Sequence, residues 1–186
     1  MPQRRMDLYF PNLNAACEDV RHLRQVGNEL TGQWSLAQIL DHLNLSLQMT
    51  LTGAEFTFPV LLRPLFRVMF SRTLRVGKPS KLRGKAPKEI QPSADLDEDS
   101  CANRFYELCD TLMQPDTKFV DTYPMLGRLN RQQWLRLQQW HCAHHLSFAV
   151  PHVSRSNIVY ESQRLSGTTG LVASSTTEKT IHRRDL

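Results

Sequence analysis

Two helix starts of the same form constrain this chain more than any other feature of its sequence. At the first, Ser35 can accept from exposed backbone N–H groups, Gln38 sits three residues on, and Trp34 and Ile39 flank the pair as an apolar staple. At the second, Asn130, Gln133, Leu129 and Trp134 repeat the arrangement. The run after Ser35 carries Leu36, Leu40, Leu43, Leu47 and Leu51 at helical spacing and stops near Gly53. Residues 11–25 read as an earlier helix, with Leu13, Ala16, Val20 and Leu23 on one side. Another opens near Asp97, carries Cys101, Phe105, Leu108 and Leu112, and closes at Pro115. With the helix that follows Asn130 and ends before Pro151, four helices of moderate length predict an all-α four-helix bundle. The chain has 186 residues, 40% of them hydrophobic, which is enough for one domain with its own core.

The long connection between the second and third of these helices is basic. Between residues 63 and 88 lie Arg63, Arg67, Arg72, Arg75, Lys78, Lys81, Arg83, Lys85 and Lys88, with no acidic residue. Phe56, Phe58, Leu61, Leu62, Leu65, Phe66 and Phe70 ask for burial, while Pro59 and Pro64 interrupt regular structure. A short helix followed by an extended loop through Gly77, Pro79, Gly84 and Pro87 is expected. The cations make either a solvated connection or an anion-attracting patch. After residue 155 the chain turns rich in Ser and Thr and loses its apolar period, so the domain is read as 1–155 and residues 156–186 as a disordered tail.

Cys17, Cys101, Cys109 and Cys142 form no C-x-x-C pair, which argues for a reducing compartment. The start of the chain has no continuous apolar stretch of a secretory signal, and no run approaches the roughly twenty apolar residues of a membrane span. A cytoplasmic protein is expected.

The last helix carries the chemistry. Its apolar face runs Trp134, Leu137, His141, His145, Phe148, so two histidines occupy the middle of a stripe that should face the core. Four residues apart, they lie one above the other, a spacing that suits two imidazoles on one ion. It also suits two core histidines, each with its own hydrogen bond. A third ligand should come from a facing helix. His42 is the only histidine inside the second helix, and it lies at the edge of the leucine stripe, near Ile39, Ser46 and Met49. His144 points about 100° away from His145 and reads as a flanking residue. Cys142 is another candidate ligand, or a thiol beside His145, but its adjacency to His141 points it elsewhere, so it reads first as a buried hydrophobe.

The run from Gly32 to Leu43 (Gly-Gln-Trp-Ser-Leu-Ala-Gln-Ile-Leu-Asp-His-Leu) resembles the second-helix signature of the DinB-like superfamily. The run from His141 to Phe148, H-x-x-x-H-L-S-F, does the same for the last helix. The turn from Tyr123 to Leu129 and the loop from Gly84 to Pro87 are similar to one bacterial branch, the domain of unknown function 1569. The likeness spans about residues 5–153. It implies an up-down-down-up four-helix bundle holding one divalent metal ion on His42, His141 and His145. The branch usually carries a histidine before the proline of the turn, where this chain has Tyr123. Zinc leads among the ions three imidazoles admit, with nickel, iron and cobalt as alternatives.

Three neutral imidazoles leave coordination positions open, the pattern of catalytic rather than structural sites. Such an ion lowers the pKa of a bound water or holds a thiolate. What is known of the superfamily implies either a metal-dependent hydrolase or a transferase using a low-molecular-weight thiol, acting on a small-molecule substrate. The alternative is a non-catalytic metal- or ligand-binding bundle. A nucleic-acid or membrane-surface binder is a third class. After Phe70 the basic stretch has no aromatics to stack bases, so no nucleic acid is expected. A homodimer is left open.

Overall fold

A computed structural model of the chain describes residues 3–76 and 91–152. The expected basic loop from Gly77 to Pro87 and the tail from residue 156 lie outside these residues. Among those described, the order is α1 (Leu13–Val26), β1 (Asn28–Leu30), α2 (Leu36–Thr52), a 3-10 turn (Val60–Leu62), α3 (Arg63–Met69), α4 (Ser71–Val76), α5 (Glu98–Met113), β2 (Thr122–Tyr123), β3 (Gly127–Arg128), α6 (Arg131–Leu146) and β4 (Ala149–Pro151).

Both helix starts close as reciprocal caps. Ser35 Oγ accepts from the Gln38 N–H at 3.1 Å, and Gln38 Oε1 accepts from the Ser35 N–H at 3.0 Å. At α6, Asn130 and Gln133 make the same exchange at 2.9 and 3.0 Å. Asp97 caps α5 by accepting from Ser100 N–H, with Glu98 and Asp99 set against the positive end of the helix. Asn12 caps α1 through Ala15 N–H. Replacing Ser35 with Ala is expected to cost about 1 kcal/mol, read as a lower urea midpoint at unchanged slope. An unchanged midpoint would mean that packing alone sets this end.

The main core is shared by α1, α2, α5 and α6, with Leu23, Leu40, Leu43, Leu47, Phe105, Leu112 and Leu146 among its buried side chains. α2 packs against both α5 and α6, and so buries two faces. Asn44 Nδ2 donates to the Cys101 carbonyl at 2.9 Å and ties α2 to α5. A smaller cluster gathers Phe70, Leu74, Leu126, Leu129, Trp134 and Leu137.

The structure is mostly helical, as expected, and adds two small antiparallel pairings among the described residues. β1 pairs antiparallel with β4, Asn28 opposite Pro151 and Leu30 opposite Ala149, and β2 pairs with β3. Strands of two or three residues are too short to show an alternating pattern in sequence. The β1–β4 pairing fastens the chain leaving α1 to the chain leaving α6, helped by Thr31 N–H donating to the Phe148 carbonyl at 2.8 Å. The stretch around Pro59 and Pro64 holds a 3-10 turn and two short helices where one was expected. Pro64 fits because it sits in the first turn of α3, where no N–H is needed.

Two of the basic residues are structural. Arg63 Nε donates to the Pro124 carbonyl at 2.8 Å, and Arg67 Nη1 donates to the carbonyls of Leu126 and Arg128 at 2.8 and 2.9 Å. They clamp the β2–β3 turn. Among the described residues no helix is long and apolar enough to cross a membrane.

Candidate metal centre

α2 and α6 bring three imidazoles to one point. His42 Nε2 lies 3.1 Å from His141 Nε2 and 3.1 Å from His145 Nε2. The ligand atoms of the three all fall within 4.8 Å of one another, and this is the group among the described residues able to hold a metal ion. Nitrogens about 2.0–2.1 Å from a tetrahedral ion lie about 3.3 Å apart, so the separations fit one zinc-like cation. Hydrogen bonding alone accounts poorly for them. A ring nitrogen offers one in-plane site, either a proton or a lone pair, yet His42 Nε2 faces two partners at equal distance.

His42 is 1% exposed, not at an edge as its place beside the leucine stripe suggested. The reason is the second buried face of α2: the stripe points one way, while His42, Ser46 and Met49 turn to another buried side.

The tautomer of His141 follows from the groups behind it. Gln138 Nε2 donates to the Ser46 carbonyl and to Thr50 Oγ1, each at 2.9 Å, which turns Gln138 Oε1 toward Ser46 Oγ at 3.1 Å. An amide oxygen only accepts, so the Ser46 hydroxyl must donate to it. His141 Nδ1, 2.8 Å from Ser46 Oγ, is then the donor in that contact. The remaining proton-free nitrogen of His141 is Nε2, the atom that faces the centre. This chain of buried bonds presents a lone pair where a cation needs one. Removing it by Ser46→Ala is expected to weaken metal binding about 10–100-fold, measured by competition with a chromophoric chelator. Equal affinity in the variant would reject this role for Ser46.

Burial first, and then the neighbouring imidazoles of His42 and His144, hold the His141 pKa well below the ordinary histidine value. His145 is lowered for the same reason, with further contributions from His141, His42, His144 and Arg4. Neutral imidazoles are the form that binds metals.

Aromatic rings wall the cluster. Trp34, read in sequence only as a staple, stacks on His145 with ring centroids 5.7 Å apart and lies 5.1 Å from His42. Trp140 lies 6.1 Å from His141. A cleft of about 570 Å³ opens beside the site, lined by Gly32, Trp34, Ile39, Pro92, His145 and Phe148 among others. Gly32 comes so close to Phe148 that a Cβ there would sit 3.2 Å from its ring.

The N-terminal segment secures the end of α6. Arg5 pairs with Asp19 through both guanidinium nitrogens, at 2.6 and 2.8 Å, and donates to the Leu146 carbonyl. Arg4 lies over the Phe148 ring, donates to the His144 carbonyl at 3.1 Å, and approaches His144 Nδ1 at 3.2 Å. Two cations thus meet the negative end of the helix that carries both histidines. No sequence pattern announced them. His144 stands outside the three-nitrogen group. Tyr123 packs 5.4 Å from Trp134 in the smaller cluster, and burial pushes its phenol up to about 12. All four cysteines are free and buried, Cys142 among them.

A family model described as a protein of unknown function (DUF1569) matches residues 2–152. No curated protein and no solved structure matches the chain.

Proposed function

The chain belongs to the DUF1569 family of proteins of unknown function, and on that premise we propose that it is a metal-dependent enzyme acting on a small molecule, a hydrolase or a transferase using a low-molecular-weight thiol. The observation that carries the reading is the cleft of about 570 Å³ with His145 in its wall, opening beside the three convergent nitrogens. A sealed cluster would suit a structural ion. One reached from a cleft suits turnover.

His42, His141 and His145 are assigned as the ligands, within a DinB-like, up-down-down-up bundle of α1, α2, α5 and α6. Their shared core and the two helices that supply the histidines support that arrangement. A divalent ion there, zinc first, supplies Lewis acidity that lowers the pKa of water or a thiol. Ser46 and Gln138 keep His141 aimed. Trp34 and Phe148 offer a substrate an apolar wall and limit the access of bulk water.

The test is a screen of hydrolytic and thiol-transfer reactions on metal-loaded and metal-stripped protein. Turnover that appears with metal and disappears in His141→Ala supports the enzyme. Full turnover without metal, or none with metal loaded, overturns it.

A further inference from the structure

α3 is built inside out. Its polar side chains Arg63 and Arg67 turn toward the body and grip the β2–β3 turn, and Phe66 packs against the smaller cluster. The aliphatic side chains of α3 and of the 3-10 turn before it are left in solvent. Leu61 is 92% exposed, Val68 72% and Leu65 57%, and Val60, Leu62 and Met69 stand out with them. Six large apolar side chains within ten residues form an exposed patch of the kind that marks an interaction surface.

Charge narrows the partner. From Val60 to Val76 the chain holds Arg63, Arg67, Arg72 and Arg75 and no acidic residue. Arg63 and Arg67 bond to neutral carbonyls of the β2–β3 turn. Arg72 and Arg75 on α4 are exposed. The occupant must therefore accept aliphatic side chains and answer positive charge together. A second copy of this chain fits poorly, because a two-fold contact through this face would bring Arg72 and Arg75 toward their own copies. Protein partners are gripped chiefly by aromatic anchors, and the outward side chains here are aliphatic.

We propose that the α3 face docks on a membrane surface carrying anionic lipid. Val60, Leu61, Leu65 and Val68 enter the boundary between headgroups and acyl chains, and Arg72 and Arg75 of α4 meet lipid phosphates. The helix lies on the membrane and does not span it. The proposal stands on different residues from the metal centre and is independent of it.

The experiment is vesicle co-sedimentation of the full chain, on phosphatidylcholine alone and on phosphatidylcholine containing phosphatidylglycerol. Binding is expected on the anionic vesicles, falling as salt rises. The triple variant Leu61→Ser/Leu65→Ser/Val68→Ser changes only exposed positions and should bind at least about tenfold less, with its metal content and melting temperature retained. Arg72→Gln/Arg75→Gln should weaken binding to anionic vesicles and leave the neutral ones unchanged. No binding to anionic vesicles overturns the proposal, as does binding that the triple variant keeps. A concentration-dependent dimer abolished by the same three substitutions, without lipid binding, assigns the face to self-association instead.

Discussion

Metal-loaded wild-type protein is expected to hold about one divalent ion per chain, and His42→Ala or His141→Ala no more than about a tenth of that after dialysis. The expectation comes from the geometry at His42 Nε2, which faces two other ring nitrogens at 3.1 Å. A shared cation satisfies all three lone pairs at once, and loss of one imidazole removes a bond and cuts the chelate from three donors to two. The effect should reach stability as well. An ion present at a thousand times its dissociation constant stabilises the fold by about 4 kcal/mol. For a domain of this size that is on the order of 10 °C in melting temperature. Chelator should therefore lower the wild-type melting temperature markedly and leave that of His141→Ala nearly unchanged. Elemental analysis and calorimetry with and without chelator make the comparison. Wild-type protein that takes up no ion, or a variant that keeps it, would end the metal reading.

Local rules with a strict sequence form were legible in advance. The caps at Ser35 and Asn130 need only two residues at a fixed spacing, and both closed as read. The histidines of α6 were legible because polar residues in the middle of an apolar stripe conflict with the period around them. What depends on neighbours was not legible. His42 looked peripheral because one leucine stripe implies one buried face, and only the packing of α2 on both α5 and α6 creates the second. Gln138 and Ser46 look like ordinary polar residues until α2 and α6 bring them within hydrogen-bonding distance, 92 positions apart in sequence. The roles of Arg4 and Arg5 are similarly non-local. Arg63 and Arg67 belonged to a charge run in sequence, and it took the β2–β3 turn to make them clamps. The inverted exposure of α3 follows from that same clamp.

Acid should undo the centre in two stages with a predictable sign. In the metal-free domain, His141 and His145 have pKa values well below the ordinary 6.5, chiefly because burial penalises the charged ring. Unfolding restores ordinary imidazoles, so below about pH 6.5 the unfolded chain binds more protons than the folded one. Metal-free stability is therefore expected to be flat above that value and to fall as the pH drops from about 6.5 towards 5, before carboxylates titrate near 4. Urea unfolding in chelator across that range measures it, and His141→Gln/His145→Gln should flatten the slope. The metal-bound protein is expected to resist at first, because His141 and His145 are already neutral where free histidines begin to protonate. Once His141 and His145 compete for protons, affinity should fall by up to about a hundredfold per pH unit, since both protons must leave for one ion to bind. The depressed pKa values of His141 and His145 move that collapse to lower pH than ordinary imidazoles at those positions would show. Release that begins near pH 6.5, or a metal-free domain equally stable at pH 5 and 7, would contradict the buried, neutral state of His141 and His145.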